Sequence, residues 1–182
     1  MPLLDAHNHV QEEVLQPLLP AVLRRARAAG VTAQIVNGTG EQDWAEVRRL
    51  AATESGVIPA YGLHPWFVGE RTAEWREVLE EYVTGATTTG SGRARENGPS
   101  TARPATMTPA VATLRTTTAV IGEIGLDRRQ PGLDYAAQEQ VFREQLALAT
   151  RLGRPVMIHC LQAWGWLLEV LREVGPPPAG FV

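Results

Sequence analysis

The sequence begins Met-Pro-Leu-Leu-Asp-Ala-His-Asn-His-Val over residues 1–10. Leu3 and Leu4 are apolar and lead into two histidines, His7 and His9, spaced two residues apart. In a β-strand, residues i and i+2 point to the same face, so both imidazoles project into one place at the end of a short buried strand. Neutral imidazole is a favoured ligand of Zn²⁺ and similar cations. Taken alone, the segment fits a metal-binding pair and also two solvent-facing histidines.

The other two of the four histidines also lie at the ends of strand-like runs. His64 ends Val-Ile-Pro-Ala-Tyr-Gly-Leu-His, and His159 ends Pro-Val-Met-Ile-His. A further run of this kind ends in two acids, Glu123 and Asp127. Parallel α/β folds bind their ligands at the carboxyl ends of the strands. We therefore expect these side chains to lie at one site.

Apolar periodicity divides the chain into alternating strands and helices. The predicted strands are the opening segment, Val31–Val36, Val57–Gly62, Ala119–Gly125 and Val156–Ile158. The predicted helices are Gln16–Ala29, Glu41–Ser55, Thr72–Tyr82, Leu133–Leu152 and Ala163–Val174. Strict β-α alternation favours a parallel sheet with helices outside it. Residues 180–182 open a sixth strand, so we expect an α/β protein of TIM-type (β/α)8 barrel architecture, incomplete here, with about five βα units.

We expect residues 1–182 to form one domain, a partial barrel with a low-complexity insertion at about 85–117. The insertion is mostly Thr, Gly, Ser, Ala, Pro and Arg and has neither strand nor helix periodicity. Its arginines could grip phosphate, but a solvated loop is favoured because a helix-to-strand connection lies opposite the strand carboxyl ends. Complete barrels run to about 250 residues, and a chain ending inside an apolar strand leaves a sheet edge exposed. We therefore expect a chain truncated at its C-terminus.

The composition is that of a globular protein, with 44% hydrophobic and 20% charged residues. A net charge of −3 provides no overall basic field for nucleic acid, although a local basic patch remains compatible with it. The single cysteine, Cys160, fits a reducing compartment. No apolar run reaches transmembrane length and no signal peptide is visible. We expect a cytoplasmic protein with no membrane association and no obligate protein partner.

Four motifs in chain order carry a family resemblance. They are Asp5-Ala-His7-Asn-His9, Gly62-Leu-His64-Pro65, Gly122-Glu123-Ile-Gly-Leu-Asp127 and Val156-Met-Ile-His159-Cys160. Together with the helix segment Gln138–Leu146, they resemble the TatD family of metal-dependent hydrolases and deoxyribonucleases, within the amidohydrolase-like barrels. The resemblance runs across the chain apart from the insertion. A lone His-x-His motif is weak evidence, whereas four ordered motifs are strong evidence.

The resemblance implies a site with two divalent metal ions, of Mg²⁺, Mn²⁺ or Zn²⁺. His7 and His9 would bind the first ion and His159 the second. Glu123 would bridge the two and is the predicted catalytic residue. This agrees with general chemistry, because a carboxylate can span two cations about 3.5–4 Å apart that activate water and polarise a phosphoryl oxygen. A carboxylate in a buried strand is also costly unless something positive meets it.

The resemblance gives roles to three further residues and none to Cys160. His64 lines the site in the family without being a usual ligand, which implies contact with phosphate or substrate. Asp5 and Asp127 are expected to orient the histidines or nearby loops. Cys160 has no paired base in the sequence and is expected to be a small buried residue and not a nucleophile.

The sequence departs from the family pattern in two places, and three functions stay open. After His159 the family has a polar stretch with Arg and Asp, whereas this chain has residues 160–164, Cys-Leu-Gln-Ala-Trp. The family also has a later His and a later Asp that this chain does not contain. The first hypothesis is cleavage of phosphodiester bonds in DNA. The alternatives are hydrolysis of a small ester, amide or lactone, and an inactive fragment lacking the later ligands.

Overall fold

The structure, a computed structural model, describes residues 1–86 and 119–182, and in this part of the chain strands and helices alternate as predicted. The strands are β1 (Leu3–Asn8), β2 (Val31–Asn37), β3 (Val57–Tyr61), β4 (Val120–Asp127) and β5 (Val156–Leu161). The α-helices are α1 (Leu19–Ala28), α2 (Trp44–Thr53), α3 (Trp75–Thr84), α4 (Tyr135–Leu152) and α5 (Trp164–Val174). Short 3-10 helices span Glu13–Leu18 and Val68–Glu70.

All five strands are parallel and neighbour one another in chain order, from β1 to β5. Because every strand connects to its neighbour through an external helix, the sheet curls as half of a βα barrel. Phe181 forms a parallel bridge with Val156 at the β5 edge, which is the position expected for a sixth strand. The predicted TIM-type architecture, incomplete in this chain, is therefore confirmed.

The main core lies between the sheet and its helices. Trp44 from α2 and Phe142 from α4 are fully buried and pack with the outward-facing residues of the sheet. A smaller cluster of Ala60, Val120 and Met157 lies separately. Every residue of β4 is buried, because this strand has a neighbour on each side and is covered on both faces. The strand that carries Glu123 is thus the most enclosed part of the sheet.

Two predictions near the N-terminus are wrong. Leu3 and Leu4 are 45% and 58% exposed, so β1 is not a buried strand. The reason is its position, since β1 lies at a sheet edge and pairs only with β2. The first helix was predicted to begin at Gln16, but Leu18 still lies before α1 and is exposed. A 3-10 segment containing Pro17 precedes α1, and this shifts the start of the α-helix to Leu19.

The two strands that carry the later motifs are longer than predicted. β4 continues to Asp127 and β5 to Leu161, because pairing between them extends through Gly125 and His159 up to their last residues. The predicted insertion at 85–117 lies outside the described residues, apart from its first two. Within 1–86 and 119–182, none of the helices has both the length and the apolar character needed to cross a membrane.

Candidate metal centre

Three strands bring four of the predicted site residues together at the carboxyl edge of the sheet. His7 lies in β1 with His9 directly after it, Glu123 lies in β4 and His159 in β5. The side chains meet because the strands are parallel and their carboxyl ends point the same way. They line an open cleft of about 310 Å³ together with His64 and Trp66.

One oxygen of Glu123 faces both N-terminal histidines. Glu123 Oε2 lies 3.3 Å from His7 Nε2 and 3.4 Å from His9 Nε2, and the two Nε2 atoms are 3.1 Å apart. Around a cation bound tetrahedrally at about 2.1 Å, neighbouring ligand atoms are about 3.4 Å apart. The spacing of these three atoms therefore fits a single divalent cation, and the nitrogen and carboxylate donors are those such cations bind.

The second oxygen of Glu123 faces the opposite side of the cleft. Glu123 Oε1 lies 3.0 Å from His159 Nδ1 and 4.0 Å from His64 Nε2. The two histidine nitrogens are 3.1 Å apart. Glu123, His64 and His159 thus form a second group with ligand-like spacing. A carboxylate that directs one oxygen to each of two histidine groups has the arrangement of a bridging ligand.

The environment of Glu123 keeps this carboxylate ionised. Burial raises its pKa, but hydrogen bonds from His159, His7 and His9 outweigh burial and hold the pKa below its ordinary range. Glu123 is only 7% exposed, so these partners replace the water that it loses. A negative charge therefore remains at the centre of the cluster at every pH at which the histidines can bind a metal.

The last residue of β2 orients His9. Asn37 in β2 accepts a hydrogen bond from His9 Nδ1 at 2.9 Å, which leaves the lone pair of Nε2 directed at the cleft. Gln11 donates to the same carbonyl oxygen at 2.6 Å and so holds the segment that follows His9. The hydrogen bond to Glu123 raises the pKa of His9, against an opposing contribution from burial.

Asp127 orients His159. The buried carboxylate of Asp127 accepts from His159 Nε2 at 3.0 Å, so Nδ1 is the nitrogen that faces Glu123. Asp127 also accepts from Trp66 Nε1 at 2.8 Å and from the backbone N–H of Arg129 at 2.7 Å. Burial lowers the pKa of His159, yet the contacts with Glu123 and Asp127 raise it by more. A carboxylate behind a histidine in this way fixes the ring and increases its basicity.

The neutral His64 ring presents a hydrogen-bond donor towards the cleft. Its Nδ1 accepts from the backbone N–H of Trp66 at 3.2 Å, so in the neutral ring the proton is on Nε2. Burial lowers the pKa of His64 to about 4, which keeps the ring neutral at pH 7. The Nε2–H group points at His159 and the centre of the site.

The structure places Asp5 and Cys160 away from the centre of the cluster. Asp5 accepts from the backbone N–H of His7 at 3.2 Å and from the Asn8 amide at 2.8 Å, so it contacts the backbone at the β1 end and not an imidazole. Burial raises the pKa of the Cys160 thiol, which disfavours the thiolate that a nucleophile needs.

Two glutamines of α4 position the loops of the site, and this role was not predicted. Gln145 accepts from the backbone N–H of Leu63 at 2.7 Å and donates to its carbonyl at 3.2 Å. Gln138 makes the same pair of bonds with Asp127, at 2.9 and 3.2 Å. The two residues are seven apart and so lie on one face of the helix. The sequence contained one signal for this role, because Gln138 and Gln145 lie on the apolar face of the helix.

Comparisons with known proteins place the chain in a family. The family model described as "TatD related DNase" matches residues 4–182. The 3'-5' ssDNA/RNA exonuclease TatD of Pantoea vagans is 31% identical over 162 residues, which cover 88% of this chain and 51% of that protein. The uncharacterized metal-dependent hydrolase TatD of Mycobacterium tuberculosis is also 31% identical, with 96% and 58% covered.

The fold is also similar to that of a solved TatD homologue. The crystal structure of YjjV, a TatD homologue from Escherichia coli K12, superimposes with a TM-score of 0.69 at 25% identity, covering 94% of this chain and 56% of that one. The protein has a half-barrel of the metal-dependent hydrolase class with a histidine and glutamate cluster at its strand ends. The chain belongs to the TatD family, as predicted. It spans about half the length of the curated relatives it matches.

Proposed function

We propose that this protein acts in metal-dependent hydrolysis of phosphodiester bonds in single-stranded DNA or RNA. The observation that carries the proposal is the position of Glu123, whose two carboxylate oxygens face separate histidine groups. The nuclease name of the Pantoea vagans relative supports a nucleic-acid substrate. A carboxylate placed between two cation sites fits the two-metal hydrolysis of phosphodiester bonds.

In this proposal, His7, His9 and Glu123 hold one divalent cation, and Glu123 and His159 contribute to a second. Bound cations would acidify a water molecule and polarise the phosphoryl oxygen. The mixed donor set suits Zn²⁺ or Mn²⁺ through the imidazoles, and Mg²⁺ through the carboxylate. Asp127 keeps His159 in the orientation that presents Nδ1, and Asn37 does the same for His9 Nε2.

His64 supplies a neutral hydrogen-bond donor to the substrate. Its Nε2–H is directed into the cleft, and its low pKa keeps the ring uncharged near pH 7. A neutral donor can bind a phosphoryl oxygen without repelling a cation held by the neighbouring histidines. His64 therefore contributes to substrate orientation and not to metal binding.

The test compares Glu123→Gln with a matched control, Glu77→Gln, on a 5'-labelled single-stranded oligonucleotide with Mg²⁺, Mn²⁺ or Zn²⁺. Glu77 is exposed on α3, so its replacement alters charge without altering the site. Loss of a residue that only orients a metal ligand lowers metal affinity or activity about 10–100-fold. Glu123→Gln removes the shared carboxylate and should lower the rate of hydrolysis more than about 100-fold. Glu77→Gln should retain full activity.

Two results would contradict the proposal. If Glu123→Gln cleaves the oligonucleotide as fast as the unaltered protein, the shared carboxylate has no role in hydrolysis. If the unaltered protein cleaves small esters or lactones but no oligonucleotide with any of the three metals, the substrate assignment is wrong. In that second case the Cys160–Trp164 segment, which lacks the Arg and Asp of the family pattern, is the first place to examine.

A further inference from the structure

An exposed aromatic ring borders the metal cluster on one side. Trp66 lines the same cleft as His64 and Glu123, yet 45% of its surface is accessible. Its Nε1–H donates to Asp127 Oδ2 at 2.8 Å, and this bond anchors one edge of the indole. The His64 ring packs against Trp66 at right angles, with the ring centroids 5.2 Å apart. An aromatic ring held in this way offers a face on which a nucleobase can stack.

Two arginines come directly after Asp127, the residue that anchors the Trp66 ring, in the turn after β4. Arg128 and Arg129 are both exposed, and the backbone N–H of Arg129 donates to the same Asp127 carboxylate. Arg128 lies over the Trp166 ring, with Cζ 4.8 Å from the centroid. Within residues 1–86 and 119–182, neither side chain has a carboxylate partner, whereas other arginines do. Those with such partners include Arg27, Arg49, Arg76, Arg143 and Arg151.

Acidic residues lie near His9, at the cleft and in an adjoining cavity. Glu12 is exposed and lines the cleft beside His9. It also lines an adjoining cavity of about 690 Å³, together with the exposed Glu13 and with Asp43. A polyanion that approaches the cleft is repelled by these carboxylates and attracted by the two arginines.

We propose that Trp66, Arg128 and Arg129 form the surface that holds single-stranded nucleic acid at the mouth of the cleft. A base stacks on Trp66, and the two arginines neutralise phosphates of the same strand. The inference rests on the proposed function and specifies its substrate, because a base paired within a duplex does not present a free face. Stacking and charge contribute separately, so the two can be tested separately.

The experiment measures binding of a fluorescein-labelled, phosphorothioate-linked dT12 to the metal-loaded protein by anisotropy at several salt concentrations. The phosphorothioate linkage slows hydrolysis so that binding alone is observed. Trp66→Ala should weaken binding about 5- to 100-fold at every salt concentration, since stacking on one aromatic ring accounts for a factor of this size. Trp66→Phe keeps an aromatic face but not the hydrogen bond to Asp127 and should bind within about threefold of the unaltered protein.

The arginines should produce a different signature. The double variant Arg128→Ala/Arg129→Ala should reduce the slope of log affinity against log salt by about 1.4, or about 0.7 per phosphate contact on a single strand. The control Arg24→Ala/Arg25→Ala removes the same charge from exposed positions on α1 and should change the slope little. A dT12·dA12 duplex should bind more weakly than dT12 and be insensitive to Trp66→Ala.

The results separate this surface from the proposed function. The proposed surface would be wrong if both arginine pairs changed the salt dependence of binding equally. It would also be wrong if Trp66→Ala did not weaken binding. The absence of measurable dT12 binding by the unaltered protein would overturn it as well. If binding depends on Trp66 and on Arg128 and Arg129 but ordinary dT12 is not hydrolysed, the surface stands and the proposed hydrolysis is wrong.

Discussion

Replacing Gln145 by Met tests how helix α4 holds the site. The Gln145 amide is 1% exposed and makes two hydrogen bonds with the backbone of Leu63, the residue before His64. Methionine has a similar length and can fill the same space, so the main change is the loss of both bonds. The Leu63 N–H and C=O groups are then buried without partners, at a cost of about 1–3 kcal/mol each.

We therefore expect the free energy of unfolding to fall by about 4 kcal/mol, within a range of about 2–6 kcal/mol. For a chain of this size, that loss lowers Tm by about 8–16 °C. The measurement is urea unfolding followed by far-UV circular dichroism, compared with Gln140→Met. Gln140 is exposed on the same helix, so its replacement should change the stability by less than about 0.5 kcal/mol.

The same reasoning applies to Gln138, which makes the equivalent bonds with Asp127. Because the two glutamines contact separate loops, the losses in Gln138→Met and Gln145→Met should add in the double variant. A Gln145→Met protein as stable as the Gln140→Met control would refute the claim that these buried amides hold the site loops.

Three further predictions follow from the same site. Gly125→Ala should cost at least about 3 kcal/mol of stability, because a Cβ would lie 1.9 Å from the His159 carbonyl oxygen and force β4 and β5 apart. The control Gly165→Ala, in a helix with open space around it, should be neutral or stabilising by about 0.5–1 kcal/mol in the same thermal melts; equal losses in the two variants would contradict the packing argument. Asp127→Asn should lower metal affinity about 10–100-fold by calorimetry, because the amide loses the charge behind His159, and unchanged affinity would contradict that orienting role. Metal affinity should also fall as the pH is lowered from 8 to 6. Contacts with Glu123 raise the pKa values of His9 and His159 above 6.5, so protons compete with the metal for the same nitrogens. Titrations that give the same affinity at both pH values would contradict this coupling.

The alternation of strands and helices was predictable because each element carries its own local signal. Apolar runs such as Val31–Asn37 lie between amphipathic helices, and parallel pairing follows from the helical connections. The burial of Leu3 and Leu4 was predicted wrongly, because burial depends on neighbours across the sheet and β1 has only one. Local sequence does not contain that information.

The meeting of the histidines with Glu123 was also predictable, since parallel strands direct their carboxyl ends to one edge. Their roles as metal ligands remain predictions. The contacts that orient them were not visible in the sequence, because they join residues far apart along the chain. Gln145 and Leu63 are 82 positions apart, and His9 and Asn37 are 28 positions apart.

The bridging role of Glu123 is tested most directly by anomalous diffraction from crystals of the protein grown with Mn²⁺ or Zn²⁺. We expect an anomalous peak within about 2.0–2.2 Å of His7 Nε2, His9 Nε2 and one oxygen of Glu123. A second peak should lie beside His159, with the other Glu123 oxygen directed towards it. Metal bound at the histidines with Glu123 turned away, or metal bound only elsewhere in the protein, would contradict the claim that one carboxylate serves both groups.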